Sequence, residues 1–257
     1  MGFYLNMSGD LAGARPYYER ALVIRERVLG SDHPDTANGA NNLGSLLRAQ
    51  GDLIGARSYY ERALDIRKSV LGMNHPATAT SLNNLGLLFH TLGELVTARP
   101  YYESALAIRE RILGPDHGDT LGSINNLGVL LTEMGDLVEA RPYLERALAI
   151  TERVLGPDHP DTARCLNNLG GLLDTLHEYE GALGNYRRAL AIRERVLGPE
   201  HPDTAFSLHN VGALLFELGR PTEARPLLEQ ALTIQITKLG PNHSQTKSTL
   251  GWLTALR

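Results

Sequence analysis

Apolar and small residues recur at helical spacing through nearly the whole chain, and one stretch shows the pattern clearly. After Pro160 they are Ala163, Leu166, Leu169, Gly170 and Leu173. This spacing places the side chains on one face of an α-helix. Pro160 suits the first turn of that helix, where a missing N–H costs nothing, and His159 then occupies the cap position. The pattern predicts a helix over about 160–176.

A second helix is predicted after a short turn. Glycine followed by an acidic residue marks the turn, as in Gly51-Asp52 and Gly93-Glu94, where the glycine ends one helix and the acid caps the next. His177 takes the place of the glycine in one copy, and we expect it to adopt a positive φ. The second helix is expected to end at a Leu-Gly pair, whose glycine suits a helix C-cap.

Three residue types within the helices carry further expectations. Proline inside the second helix predicts a bend or a loosened first turn, and it occurs at Pro16, Pro100, Pro142 and Pro226. Glycine inside the first helix predicts close helix contact, and it occurs at Gly44, Gly86, Gly128, Gly170 and Gly212. The pairs Tyr17-Tyr18, Tyr59-Tyr60 and Tyr101-Tyr102 are expected to lie in the core with hydrogen-bonded hydroxyls.

The pair of helices repeats at a fixed interval. Histidine recurs every 42 residues, at His33, His75, His117, His159, His201 and His243. Such a period indicates stacked supersecondary units, each of which needs its neighbours for burial. The expected boundaries are 1–33 (partial), 34–75, 76–117, 118–159, 160–201, 202–243 and 244–257 (partial or a capping helix). The sequence therefore predicts a single all-α domain over 1–257, an α-solenoid of about six antiparallel helical hairpins.

The two ends of the chain depart from the repeat. Met1-Gly2 falls at the repeat position of Leu43-Gly44, so we expect the sequence to begin inside a unit, as a fragment of a longer protein. Trp252 lies in a degenerate last unit. It either covers the end of the stack or marks a cut through a longer array.

Composition narrows the possible partners. A formal net charge of −4 and a pI near 6.1 do not favour nucleic acid or an anionic membrane surface. No apolar run reaches the length of a membrane span. Cys165 is the only cysteine, which excludes an internal disulfide and suits a reducing compartment. We expect a cytoplasmic chain that binds neither nucleic acid nor membrane, with its oligomeric state open.

The repeated phrases resemble a known family. Asp-His-Pro-Asp-Thr-Ala, Leu-Asn-Asn-Leu-Gly and Arg-Ala-Leu-Ala-Ile-Arg-Glu-Arg-Val-Leu-Gly are similar to tetratricopeptide (TPR) repeats in their 42-residue form, as in kinesin light chains. Glycine at the end of Leu-Asn-Asn-Leu-Gly favours a bacterial group that includes the sensor arms of nucleotide-switch signalling proteins. The resemblance implies a right-handed superhelix whose first helices line a concave surface.

The resemblance also implies where a partner binds. Asparagines of the first helices would hold the backbone of a peptide or protein segment, and they are Asn41, Asn42, Asn83, Asn84, Asn125, Asn126, Asn167, Asn168 and Asn210. An asparagine supplies an acceptor and two donors, which suits a backbone of any sequence. The alternative is that one asparagine of each pair bonds to the adjacent repeat.

Charged residues on the same face suggest how a ligand is oriented. Arg48 and His90 lie in early units and acids lie in later ones, so an extended peptide with acidic and basic ends is expected to bind in one direction. Arg48, Asn84 and Arg164 supply part of the clamp with which some TPR domains hold a carboxy-terminus, but its lysines are missing. Recognition of a free carboxy-terminus is therefore disfavoured.

Catalytic, metal and cofactor sites are not expected. The repeated histidines lie on separate hairpins, at least about 8–10 Å apart, whereas zinc needs its ligands near 2 Å. They are assigned to helix capping instead. Cys165 has no Cys or His within a helical turn, and no phosphate-binding loop or hydrolase motif occurs. We interpret the chain as a non-catalytic scaffold, with a sensor or oligomerisation arm of a larger signalling protein as the alternative.

Overall fold

The computed structural model describes Leu5 and residues 9–256, so the expectation about Met1-Gly2 lies outside the described residues. All regular secondary structure in this described part is helical. The chain divides into two compact units, Met1–Met134 and Gly135–Arg257. The expected single domain over 1–257 stays a prediction, and each unit is described by itself.

From Leu11 onward, the described residues of the first unit form six helices. They are α1 (Leu11–Leu29), α2 (Pro34–Ala49), α3 (Leu53–Leu71), α4 (Pro76–Thr91), α5 (Leu95–Leu113) and α6 (Gly118–Met134). Each packs on the next in sequence, and α2, α4 and α6 also contact one another in turn. This arrangement is a stack of helical hairpins.

The second unit repeats the plan. Its helices are α7 (Leu137–Leu155), α8 (Pro160–Thr175), α9 (Tyr179–Leu197), α10 (Pro202–Glu217), α11 (Pro221–Leu239) and α12 (Ser244–Ala255). Consecutive helices pack in the same way, and α10 also contacts α12. The all-α solenoid fold class is confirmed.

The repeated histidines cap the first helices, as predicted. In His159 the ring Nδ1 accepts the backbone N–H of Asp161 at 3.1 Å, and the same bond recurs at the other five. A buried threonine adds a hydrogen bond that the sequence pattern did not predict. Thr162 Oγ1 donates to the carbonyl of Gly156 at 2.7 Å, so the end of one helix is tied to the start of the next.

Other local expectations divide into correct and incorrect ones. Asp52 caps α3 by accepting the N–H of Gly55, whereas Glu94 makes no side-chain cap bond, so the predicted acidic cap is wrong there. His177 adopts φ 59°, as expected. The helices run unbroken through their internal prolines. Pro16 and Pro100 are exposed, and water can therefore solvate the carbonyl that loses its donor.

The glycines inside the first helices permit close packing. A Cβ at Gly44 would lie 2.9 Å from the Tyr60 ring, and one at Gly86 would lie 2.7 Å from Tyr102. Tyr60 and Tyr102 are buried as expected, but Tyr17 is 48% exposed and does not belong to the core. Tyr60 donates its hydroxyl to Ser45, which confirms the expected bond there. The expected bond is wrong at Tyr102, whose buried hydroxyl has no partner.

Candidate partner-binding faces

The predicted asparagines form hydrogen bonds between consecutive repeats. In the first unit Asn84 Nδ2 donates to Asn41 Oδ1 at 2.8 Å, and Asn126 Nδ2 donates to Asn83 Oδ1 at 3.3 Å. In the second unit Asn210 Nδ2 donates to Asn167 Oδ1 at 2.7 Å. The second asparagine of one repeat thus binds the first asparagine of the repeat before it. We call this set of bonds the asparagine ladder.

Burial separates the two asparagines of a pair. The first asparagine is buried in three copies, at Asn41, Asn125 and Asn167, and Asn83 is half-buried. The second is more accessible: Asn42 is exposed, and Asn84, Asn126, Asn168 and Asn210 are half-buried. Both asparagines of a ladder bond thus contact the adjacent repeat, the first as the acceptor and the second as the donor.

A second asparagine in the ladder keeps some bonding capacity. An asparagine side chain has two N–H donors and one carbonyl oxygen. Asn84, Asn126 and Asn210 each commit one N–H to the ladder. The other N–H and Oδ1 are left, which is the donor and acceptor pair that a peptide group needs.

Charged and aromatic groups accompany the ladder in the first unit. His90 Nε2 lies 2.8 Å from Glu133 Oε2, and the His90 ring meets the Tyr102 ring edge-on at 6.3 Å. Arg48 is half-buried, and its Nε has no hydrogen-bond partner. Burial raises the pKa of Tyr102, the charge of Arg48 opposes that rise, and the charge of Glu133 adds to it. Tyr102 Oη therefore lies within electrostatic range of Arg48 and Glu133.

In the second unit the corresponding positions hold two acids. Asp174 and Glu217 are separated by the same 43 positions as His90 and Glu133. Burial raises the pKa of both carboxyls, the Asp174 charge adds to the rise at Glu217, and His177 opposes both shifts. Burial raises the pKa of Tyr186 as well, and the two carboxylates add to it. This face therefore favours cationic groups.

Arg164, the remaining predicted contact residue, has a charged partner within its own helix. It is exposed in the first turns of α8 and binds Asp161 within its own helix, with Nη2 at 3.0 Å from Oδ1. Its guanidinium is therefore committed to a local ion pair, and any contact between Arg164 and a partner stays a prediction.

Buried arginines hold successive first helices together, a role that sequence analysis missed. Arg67, 4% exposed, donates through Nη1 to the Ala77 carbonyl and to Ser81 Oγ, and through Nη2 to Asn38 Oδ1. Arg109 and Arg193 repeat the bonds to a carbonyl and a serine. The sequence could have indicated this role, because the three arginines and their serine partners are spaced by multiples of the 42-residue repeat.

Three further possibilities considered from the sequence are a nucleophilic cysteine, a metal site and a membrane span. Cys165 is buried with Sγ 3.5 Å from Thr151 Oγ1, and burial raises the pKa of its thiol. A raised thiol pKa disfavours the thiolate that a nucleophile needs. No group of three or more potential metal ligands occurs among the described residues. In that same part of the chain, no helix is long and apolar enough to cross a membrane.

Stacked helical hairpins with a repeated polar face define the class of α-solenoid repeat proteins. A family model of the tetratricopeptide repeat matches residues 1–69, 35–111, 78–129, 119–194 and 175–237. The chain therefore belongs to the tetratricopeptide-repeat family, whose scaffolds are associated with protein–protein interaction. No curated protein sequence matches it.

Solved structures place the chain beside kinesin-light-chain-like repeats. BtubC (BKLC) from P. vanneervenii has a TM-score of 0.72 at 23% identity, over 90% of this chain and 91% of that one. A putative kinesin light chain with nearly identical TPR-like repeats from Podosopora anserina has a TM-score of 0.67 at 25% identity, over 80% of this chain and 97% of that one. The APC/C hetero-tetramer Cut9–Hcn1 has a TM-score of 0.71 at 17% identity, over 99% of this chain and 41% of that one. The first and third likenesses show the fold alone.

Proposed function

We propose that the chain is a non-catalytic scaffold that binds a peptide or protein segment along the first helices of its repeats. The observation that carries the proposal is that the two asparagines of each ladder bond differ in how much hydrogen-bonding capacity they keep. In each bonded pair the first asparagine accepts within the contact between repeats, while the second donates one N–H to that contact and retains another N–H and its Oδ1. A row of such groups suits an extended backbone.

The first unit favours a segment with acceptor or acidic groups. Arg48 carries a positive charge and a buried Nε without a partner, and the buried Tyr102 hydroxyl is an unused donor. A buried polar group without a partner costs free energy, which a ligand acceptor can recover. Glu133 is paired with His90 and so opposes an incoming acid less than a free carboxylate would.

The second unit favours a segment with a basic group. Asp174 and Glu217 both have raised pKa values, caused first by burial. A lysine or arginine side chain placed between them would stabilise both ionised carboxylates. The scaffold is thus expected to discriminate partners by charge as well as by backbone contacts.

Binding of a peptide array to the whole chain tests this proposal, and Asn42→Ala is the most informative variant. Asn42 is exposed and takes no part in the ladder, so its replacement removes a ligand group without removing a contact between repeats. We expect saturable binding by the wild type and at least a several-fold weaker affinity in Asn42→Ala, with an unchanged unfolding midpoint. An array that yields no saturable binder, or one whose binders ignore Asn42→Ala and Arg48→Ala alike, rejects the proposal.

Two variants check the charge preference. Arg48→Ala should weaken acidic peptides selectively, and Asp174→Asn should weaken basic peptides selectively. Higher salt should reduce both effects, because exposed charges are screened. The cytoplasmic location stays a prediction that rests on the single cysteine. The alternative function is a sensor arm of a larger protein. In that case the isolated chain would bind no peptide in the array.

A further inference from the structure

The last interface between hairpins of the second unit lacks the buried arginine that Arg67, Arg109 and Arg193 supply in three other repeats, and Thr151 is the other exception. Arg193 joins α9 to α10 by donating to the Asp203 carbonyl and to Ser207 Oγ, at 3.1 and 2.7 Å. One period later the same position on α11 holds Gln235. Glutamine is shorter than arginine and lacks the guanidinium that Arg67, Arg109 and Arg193 place between helices.

Gln235 is buried without any hydrogen bond from its side chain. It is 0% exposed, and neither Nε2 nor Oε1 has a partner. A primary amide prefers partners for both atoms, and an unsatisfied buried polar group typically destabilises a fold. The neighbouring groups that an arginine would use are engaged with each other instead: Thr249 Oγ1 donates to the Gln245 carbonyl at 3.0 Å.

A pocket of about 120 Å³ lies at this position, between α10, α11 and α12. Its lining residues are Phe206, His209, Asn210, Gln235, Gln245 and Ser248. Liquid water occupies about 30 Å³ per molecule, so the pocket has room for several waters or for the planar end of a side chain. It adjoins the candidate binding face, because Asn210 belongs to the asparagine ladder.

Apart from Phe206, the lining residues of the pocket are polar, and none of them is an acid, a lysine or an arginine. The only hydroxyl hydrogen of Thr249 is committed to Gln245, so the 2.8 Å contact with His209 requires Nδ1 of that ring to be the donor. A neutral His209 therefore keeps Nε2 as an acceptor, and burial lowers the pKa of its ring in agreement with this state. With no carboxylate in the lining, an incoming charge would be buried without a counter-ion, which costs far more than a neutral amide.

We propose that this pocket is a binding site for a primary carboxamide, such as the side-chain end of an asparagine or glutamine in a partner. A carboxamide carries a donor and an acceptor on the same carbon, so it can pair with the Gln235 amide through two hydrogen bonds. Because both Gln235 atoms are fully buried in the unliganded chain, this pairing requires the Gln235 side chain to rotate toward the pocket when the ligand enters. Its planar shape suits the space that the guanidinium occupies at Arg67, Arg109 and Arg193. The site does not depend on peptide binding along the ladder, and small probes can therefore test it alone.

Acetamide is the probe, and nuclear magnetic resonance of the whole chain is the measurement. The Gln235 side-chain NH₂ signals and the His209 ring signals should shift and saturate in a titration reaching roughly 100 mM, since such a small molecule binds weakly. N,N-dimethylacetamide, which has no N–H, should cause at least a several-fold smaller change. Acetate and guanidinium, which are charged, should not saturate in the same range.

Two variants at the same position control the experiment. Gln235→Arg should fill the pocket with its own guanidinium, abolish saturable acetamide shifts at His209 and slow hydrogen exchange in α12. Gln235→Leu removes both hydrogen-bonding atoms and should also abolish saturation at His209. The proposal is overturned if acetamide shifts do not saturate in the wild type, if they persist in Gln235→Arg, or if guanidinium binds more tightly than acetamide.

Discussion

Asn84 donates a hydrogen bond to Asn41 across 43 positions of sequence, at 2.8 Å, and Asn41 is only 8% exposed. The bond joins the first helices of consecutive repeats at equivalent positions. The same type of residue therefore has two roles in one motif. The first asparagine accepts the bond between repeats, and the second donates one N–H to it and keeps its other N–H and its Oδ1.

This relationship predicts unequal effects of alanine substitution on stability. Asn84→Ala should lower the free energy of unfolding by about 1–3 kcal/mol, because it leaves Asn41 Oδ1 buried without its donor. Asn42→Ala should change it by less than about 0.5 kcal/mol, since Asn42 is exposed and forms no ladder bond. Urea unfolding of both variants is the measurement. Equal losses for the two variants would mean that the ladder contributes nothing specific.

The glycines of the first helices predict effects of opposite sign. In Gly86→Ala the new Cβ would lie 2.7 Å from the Tyr102 ring, an overlap that should cost about 1–3 kcal/mol. In Gly122→Ala the Cβ would meet nothing within 4 Å, so the better helix propensity of alanine should stabilise α6 by up to about 1 kcal/mol. Thermal unfolding distinguishes the two. A stabilised Gly86→Ala would contradict the proposed packing role.

Much of the fold could be predicted because the repeat supplies several independent copies of each signal. His159 followed by Pro160 is sufficient to place a helix start, and Leu155-Gly156 is sufficient to place a helix end. The buried positions followed from helical spacing, as Ala163 and Leu166 show. Periodicity specifies such features well because they depend on neighbouring residues in the chain.

Side-chain partners could not be predicted in the same way. Two asparagines adjacent in sequence, Asn41 and Asn42, have the same chemistry but different burial, because successive residues on a helix point about 100° apart. Tyr102 and Tyr60 occupy equivalent positions in their repeats, but Leu87 stands where Ser45 supplies an acceptor. Such differences depend on residues 15 positions away, and helical spacing alone does not identify them.

Those two tyrosines form a matched pair for a further prediction. Tyr60→Phe should destabilise the chain by about 0.5–1.5 kcal/mol, because it removes the 3.0 Å bond to Ser45. Tyr102→Phe should be neutral or stabilising, because it removes a buried hydroxyl that has no partner in the unliganded chain. Chemical unfolding of both variants is the check. A clear loss of stability in Tyr102→Phe would show that its hydroxyl is already satisfied.

The capping histidines predict a position-specific effect. His159→Ala should cost about 1 kcal/mol by removing the acceptor for the N–H of Asp161. His159→Asn should recover most of that loss, because asparagine is a good N-cap residue. Hydrogen exchange at the Asp161 amide measures the loss of this one bond, and an unfolding curve measures the change in overall stability. Faster exchange in both variants would argue against capping as the role of the side chain.

Asp174 and Glu217 predict how stability changes with pH. Their unfolded-state pKa values are near 3.8 and 4.5, and folding raises both, first through burial. A carboxyl with a raised pKa in the fold resists ionisation there, so its contribution to stability is lost as the pH rises through the unfolded-state value to the folded one. Asp174→Asn removes one such charge and lowers the repulsion on Glu217.

The variant Asp174→Asn should therefore have a higher melting temperature than the wild type at about pH 7, and the difference should vanish near pH 3, where both carboxyls are protonated. Glu133→Gln is the control, because Glu133 lies at the corresponding place in the first unit but is bonded to His90. Its melting temperature at neutral pH should not rise. A stabilising effect of Asp174→Asn that stayed the same at both pH values would show that packing, and not ionisation, is the cause.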